Sequence, residues 1–492
     1  MKYISFIRNH IAFTFFLIIF ITLIGNKLIT TPTPFYDWDE SLYIQNGREM
    51  IEAGYFVMPL WQGEVWLDKP PLIPLLYGTV AKISFFTIPE ISTRVFSLLI
   101  ASVVLTMTYA LYYQITKKKY IALLTSVITA FTPLFLQRSQ TVNLDIFVIM
   151  SWLGYILFYK QFWRGSLFLF IGIMSKSLIG FFPAGIVLLY QLYRFFIAKE
   201  ISSKELKKVA TKIIIQIAIM MGWFVSMYLV FGNDFFNQHI IESHFKRVSS
   251  SIESHFGQRT YYIDVLIEQI GLPLFIISLA GIGLSLYQFI KKQITLEHTL
   301  KGNFLLPWFL FLNITKTKIF WYLLPALPQF AFYATYPLTL FAKKRMLYLG
   351  IGLLIVGVFL YRNIYQMRYL NAEYSENSSH VELALYAKTH CENITMLMSP
   401  PTREAYKTLS DLDLTITTTD WWGEHPSTVY YSERPIEFIY DKVAMMKRLH
   451  EGASVDCVVV SDEDREIMKD VTYKPLPSFE TLHLFKYQAL SQ

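Results

Sequence analysis

Apolar runs about 20 residues long, each enough to cross a bilayer as a helix, recur along the first 360 residues of this 492-residue chain. Inside lipid a backbone must satisfy its own N–H and C=O groups, so such runs become helices. Composition agrees: 53% of residues are hydrophobic and 16% charged, against about 25% charged in soluble chains. The net charge of +7 is not a nucleic-acid footprint, because most Lys and Arg fall between apolar runs, where topology accounts for them. Two cysteines, Cys391 and Cys457, exclude a disulfide framework and a Cys-rich metal site.

The first run, 11–29, follows Lys2 and Arg8 and is followed by Asn26-Lys27-Leu28-Ile29-Thr30-Thr31-Pro32. No small-residue cleavage site is present there, so the run reads as an uncleaved first span. Further spans are expected at 92–114, 119–136, 145–159, 165–175, 178–197, 209–231, 263–290, 302–314, 319–340 and 346–361.

The stretch 71–86, with Pro71, Pro74, Gly78 and Lys82, is short for a span, and charge decides its place. If it stays in the interface and the N-terminus is cytoplasmic, every strong basic cluster falls inside. These clusters are Lys117-Lys118-Lys119, Lys160 with Arg164, the lysines of 199–212, Lys291-Lys292 with Lys301, and Lys343-Lys344-Arg345. Eleven spans then leave the C-terminus outside. Keeping 165–175 and 178–197 as two helices is essential, since merging them inverts everything downstream.

Three outer segments result: 30–91, 137–144 and 232–262. Within the first, 40–53 and 71–86 read as a pair of amphipathic helices on the membrane surface. The expected organisation is a membrane domain over 1–361 and an extracytoplasmic domain over 362–492. In the latter, β-rich runs at 394–398, 414–418, 455–460 and 482–485 alternate with helical runs at 381–389, 404–409 and 442–450, which predicts a small α/β domain. Ser461-Asp462-Glu463-Asp464 reads as a strand leading into a capped helix. Both cysteines lie outside, either as a disulfide or as two separate buried thiols.

Polar residues crowd the outer face. Asp37, Asp39 and Glu40 stand within four residues beside Trp38 and Tyr43. Carboxylates so close to lipid are costly, although a cap on the helix that begins there explains one of them. Lys69, in Asp68-Lys69-Pro70-Pro71, is held on a stiff extended backbone and suits a phosphate oxyanion; a snorkelling lysine is the plainer alternative. Asp145 opens the fourth span, either as a functional acid or as a residue facing the helix dipole. Arg94 and Arg138 are candidates to pair with it or to bind phosphate. Lys176 and the pair Lys316 and Lys318 break the positive-inside pattern, which an anionic ligand explains better than topology. His239, His244 and His255 lie in the third outer loop. A divalent metal held by His255 with loop carboxylates is the open cofactor reading; polar loop histidines are the bland one.

These blocks resemble the first outer loop and later segments of GT-C membrane glycosyltransferases, in particular the protein O-mannosyltransferase-like family and the lipid A aminoarabinose transferases. The likeness rests on Asp39-Glu40-x-x-Tyr43, Gly63, Asp68-Lys69-Pro70-Pro71-Leu72, Arg94, Arg138 ahead of Leu144-Asp145, Met174-Ser175-Lys176-Ser177, and the segment from Lys318 through Tyr322 to Pro328. Ser177 stands where the family usually has Gly. Leu42 stands where the aminoarabinose transferases have Arg, and Leu67 where they have an acid, for which Asp68 is the candidate substitute.

The resemblance implies a GT-C fold and transfer on the outer face from a polyprenyl-phosphate sugar to a lipid, glycan or protein acceptor. Asp39 then matches the central catalytic carboxylate, Asp145 the second acid, Lys69 the lysine near the donor phosphate and Tyr322 the donor-site tyrosine. A hydroxyl acceptor wants a carboxylate base, and the leaving phosphate wants cations, here Lys69, Arg138, Lys176 and Lys318. Single displacement inverts the anomeric centre. These residues are expected to converge in one cavity. The rivals are a secondary transporter, whose usual inverted repeats are missing from the sequence, and a non-catalytic membrane scaffold.

Overall fold

The computed structural model describes residues 9–86, 88–362, 378–415, 425–450, 455–469 and 471–487. Two compact units emerge, one of residues 1–31, 91–235 and 257–372, the other of 32–90, 236–256 and 373–492.

The first unit is helical and apolar, and the protein is a multi-pass membrane protein. Among the described residues five helical runs are long and apolar enough to span, one of them the run Phe162–Phe196 that turns at Ser177, and a sixth if Lys119–Ala130 and Pro133–Ser139, bent by 75°, count as one. Helix Ser203–Asp234 shows how they are built. Ser202 and Glu205 form a reciprocal capping box at its start. Ile213, Gln216, Met220, Phe224 and Met227 form its buried stripe, at the three- and four-residue spacing of one helical face. Ile214, Ile219 and Leu229 on the other side are exposed, a face suited to lipid. Buried Gln216 is satisfied by Tyr155, Phe162 and Ser166 at 3.0 Å each. Helix Asp145–Phe158 is different, buried at every position from Asp145 to Ile156, as a helix enclosed by protein must be.

The expected boundary between 165–175 and 178–197 is a real turn. Helix Phe162–Lys176 ends at Ser177 (φ 57°, ψ −131°), and a 3-10 segment leads into Phe182–Phe196. A Cβ on Gly180 would lie 2.3 Å from the Ile173 nitrogen. In a continuous helix residues that far apart stand roughly 10 Å from one another, so the chain has folded back.

Other expected spans are interrupted. Gly271 (φ 78°) and Pro273 divide 263–290 into Tyr261–Ile270 and Leu272–Ile290. The run 319–340 becomes a 3-10 segment Phe320–Ala326 containing Pro325, a helix Leu327–Thr335 and a second 3-10 segment from Tyr336. Proline removes a donor and crowds the preceding turn, which suffices for such breaks.

The second unit joins the first outer loop to the C-terminal segment. Helices Asp39–Ala53 and Leu72–Ile83 match the expected pair. The latter, at 12 residues, reaches about 18 Å and is too short to cross. The two pack through glycine: a Cβ on Gly47 would fall 2.1 Å from the Pro74 carbonyl oxygen. Between them β1 (Leu60–Trp61) and β2 (Glu64–Val65) form a hairpin. Its loop residues Gln62 and Gly63 both have positive φ, 51° and 85°, as a primed two-residue turn requires.

The C-terminal sheet has the order β4-β3-β5-β7-β6, from β3 (Ile394–Leu397), β4 (Ile436–Ile439), β5 (Cys457–Ser461), β6 (Tyr473–Phe479) and β7 (Leu482–Tyr487). β3 pairs in parallel with β4 and β5, while β7 runs antiparallel to β5 and β6. β5 is buried at all five positions, the pattern of a strand covered on both faces. Cys391 and Cys457 form a disulfide. The helix after Ser461 is 3-10, Asp462–Met468, without a side-chain cap; Asp464 instead takes Arg403 at 2.5 Å. The expected strand at 414–418 lies mostly outside the described residues.

Candidate functional site

In the membrane unit the site begins with a helical hairpin. Helices Asp145–Phe158 and Phe162–Lys176 are joined by a few residues, so the start of one and the end of the other lie at the same end. Asp145 is in the first turn of one and Lys176 in the last turn of the other, each placed to oppose the local helix dipole. They meet: Lys176 Nζ donates to Asp145 Oδ1 at 2.5 Å, with side chains 10% and 7% exposed. Asn143 fixes the approach. Its amide donates to the carbonyls of Arg138 (2.7 Å) and Thr141 (2.8 Å), and its Oδ1 receives the Ile146 N–H at 3.0 Å.

The late 3-10 segment completes this group. The Tyr322 ring lies 4.4 Å from Lys176 Nζ, and the Trp321 ring 4.5 Å from the Arg138 guanidinium carbon. Such cation–aromatic contacts hold a charge where water is scarce. Trp308 Nε1 donates to the Tyr322 carbonyl at 2.9 Å. Lys318, 4% exposed, donates to the carbonyls of Leu312 (2.9 Å) and Asn313 (3.1 Å), which anchors it as part of the wall. Arg94 is buried on helix Pro89–Thr116.

In the other unit, Lys69 and Asp68 form an ion pair at 2.5 Å. Ser243 also donates to Asp68, and His239 Nδ1 bonds the Leu67 carbonyl at 2.7 Å. The third outer loop therefore packs on the Asp68-Lys69 segment. Burial alone would raise the Asp68 carboxyl, but the charges of Lys69 and Arg247, with donors from Lys69 and Ser243, hold it far below the usual range. Arg247 pairs in turn with Glu253 at 3.3 Å.

Asp39 begins its helix half-buried, directly after Trp38, whose φ of 69° is unusual for a non-glycine. Glu40, 1% exposed, receives the Tyr36 N–H at 2.8 Å. Tyr43 is buried, 6.4 Å from the Trp66 ring.

Asp37 holds a position that sequence reasoning passed over as one of three crowded acids. It accepts from His425 Nδ1 (2.6 Å) and the Ser427 N–H (2.9 Å), and His380 stacks on His425 at 3.8 Å. Burial would raise the Asp37 carboxyl, yet His425, the Ser427 N–H and His380 keep it below its ordinary value. Burial, then the neighbouring His425, pushes His380 down to about 3. No local pattern could have paired residues this far apart, nor Ser243 and Arg247 with Asp68.

The site residues thus form two groups. Asp39, Glu40, Tyr43, Asp68 and Lys69 belong to one unit, and Arg94, Arg138, Asp145, Lys176, Lys318 and Tyr322 to the other. His255 is half-buried and, among the described residues, belongs to no group of three or more ligands in metal-binding geometry. Among the described residues the only such group is Cys391, Asp456 and Cys457, whose sulfurs are joined.

A family model described as dolichyl-phosphate-mannose-protein mannosyltransferase matches residues 10–236. An uncharacterized protein of Aquifex aeolicus (strain VF5) is 28% identical over 309 residues, 60% of this chain. The chain spans 57% of that relative's length. ArnT from Cupriavidus metallidurans, solved with undecaprenyl phosphate, superposes with a TM-score of 0.67 at 13% identity, covering 98% of both chains. Its apo state gives 0.68 at 12% identity, covering 99% of this chain and 98% of that one. The chain thus shares the fold of ArnT along nearly its whole length, and its residues 10–236 match the mannosyltransferase family model.

Proposed function

We propose that the protein is a membrane glycosyltransferase that moves a sugar from a polyprenyl-phosphate donor to an acceptor on the extracytoplasmic face. The observation that carries this reading is the buried Asp145–Lys176 pair against Tyr322, with Arg138 on the adjacent Trp321. Lys176 and Arg138 against the single acid Asp145 suit a leaving phosphate that gains negative charge as the sugar–phosphate bond breaks, and Lys318 is a further candidate on the same segment. Asp145 holds Lys176 in place through their 2.5 Å contact. Lys69, held by Asp68, is a second phosphate-binding candidate.

In this reading Asp39 acts as general base toward an acceptor hydroxyl, Glu40 and Tyr43 on its own helix serve substrate binding, and Arg94 is a further phosphate candidate in the membrane unit. One displacement breaks the sugar–phosphate bond, forms the sugar–oxygen bond and inverts the anomeric centre. Residues 1–361 supply the catalytic membrane domain and 362–492 an outer domain. The Cys391–Cys457 disulfide supports the outward placement of the latter, since such bonds persist outside the cytoplasm.

The test is transfer from a polyprenyl-phosphate sugar by purified wild type and Asp39→Asn. Loss of transfer in the variant supports the assignment; undiminished transfer removes Asp39 from the chemistry.

A further inference from the structure

A cavity of about 540 Å³ lies within the second unit, and none of the residues assigned to transfer lines it. Its size falls in the ordinary range of small-ligand sites, about 300–1,000 Å³. Gln45, Arg48, Glu49 and Glu52 line one side, at the spacing of a single helical face. The β1–β2 hairpin and residues 429–435 form the rest.

Two of the polar groups are committed to structure. Glu49 receives the N–H groups of Gln62 (3.0 Å) and Gly63 (2.9 Å), closing the hairpin turn. Gln62 bonds both backbone groups of Ile436, at 2.9 and 2.8 Å, covering the edge of β4. The remaining groups have capacity to spare. Arg48 uses Nη1 on the Tyr430 carbonyl at 3.0 Å and, at 3.7 Å, on the lining residue Glu433, leaving Nε and Nη2, and Arg434 uses Nε and Nη2 on the carbonyl of Lys388. Glu52 is exposed, with no ion pair among the described residues. Gln45 is 4% exposed. Its amide donates to Glu49, and its buried Oε1 has no hydrogen-bond partner among the described residues. An amide oxygen buried in this way costs about 1–3 kcal/mol until a donor reaches it, directly or through a water.

The occupant must therefore donate to Gln45 and Glu52 and accept from Arg48 and Arg434 within a few ångströms. The mixed charges disfavour a strongly ionic ligand of either sign. Sugar hydroxyls donate and accept at once, and Leu60 and Pro435 offer apolar surface to the C–H face of a ring.

We infer that this cavity binds a short oligosaccharide, the part of a glycan acceptor remote from the reacting hydroxyl. The inference rests on glycosyl transfer as the reaction and names the acceptor's chemical class. Along helix Asp39–Ala53, Gln45 stands about 9 Å and Glu52 about 20 Å from Asp39, so sugars held here are distal units of a chain.

The test is binding of mannotriose and of triacetylchitotriose to the full-length protein, by calorimetry in a detergent without sugar headgroups. Saturable binding of at least one is expected. Glu52→Ala, and Ala53→Trp, which fills the cavity from its exposed rim, should each weaken it tenfold or more, with unfolding temperatures unchanged. Binding of neither trisaccharide, or wild-type binding by Ala53→Trp, overturns the inference. Asp39→Asn separates the two claims: it should bind the trisaccharide as wild type does, and if it also transfers normally the catalytic assignment fails while the binding site stands.

Discussion

Two lysine–carboxylate pairs, each at 2.5 Å, sit one in each unit: Lys176 on Asp145 and Lys69 on Asp68. Their surroundings differ. The first joins opposite ends of neighbouring helices and is covered by an aromatic ring, so each charge depends heavily on the other. The second joins adjacent residues, and its carboxylate has further support from Ser243 and Arg247. A buried pair with few other partners is expensive to break from one side. A pair inside a larger network shares the loss.

Lys176→Met should therefore have the largest effect, lowering transfer a hundredfold or more and destabilising the membrane unit by about 3–5 kcal/mol. The double variant Asp145→Asn with Lys176→Met should regain most of the stability and none of the activity. Parallel recovery of both would make the pair purely structural. Asp68→Asn keeps an oxygen for Lys69 and Ser243, so its stability loss should be smaller, about 1–3 kcal/mol; a loss equal to that of Lys176→Met would erase the contrast.

Acid should separate the units as well. His380 titrates near 3 when folded, against 6.5 ordinarily, so between these values the unfolded chain binds more protons. The stability this group contributes is present above pH 6.5 and declines as pH falls toward 3. Asp37, with its lowered carboxyl, contributes stability above its ordinary range that is lost only as pH falls through the lower folded value. Thermal unfolding of the full chain at pH 7.5 and 4.5 should show a drop of several degrees, and His380→Phe should reduce it. An unchanged drop in that variant would remove His380 as its source. The smallest effect is expected at Ser177, whose φ of 57° suits glycine. Ser177→Gly should stabilise by about 1 kcal/mol with transfer intact, and a loss of stability would contradict the strain assigned there.

The parts of the fold governed by local pattern were legible. The helices at 39–53 and 72–83, the turn at Ser177, and β3, β5 and β7 follow from apolar runs and their interruptions. β4 went unread because Ile436–Ile439 contains Glu437 and follows Pro435, and β6 because Pro475 and Pro477 argue against a strand. The breaks at Gly271 and Pro325 were visible as residues but not as bends, since neighbouring helices decide whether a proline kinks or ends a span. In the candidate site, Asp145 and Lys176 were legible individually, and a hairpin topology pairs them. Asp37 with His425 and Asp68 with Ser243 depend on long-range packing, to which spacing is blind.

The most direct measurement is single-turnover transfer from a polyprenyl-phosphate sugar by the purified protein, comparing wild type with Asp39→Asn and Lys176→Met. Both variants should bind donor lipid detectably yet transfer at least a hundredfold more slowly. Wild-type rates in either variant would contradict the account.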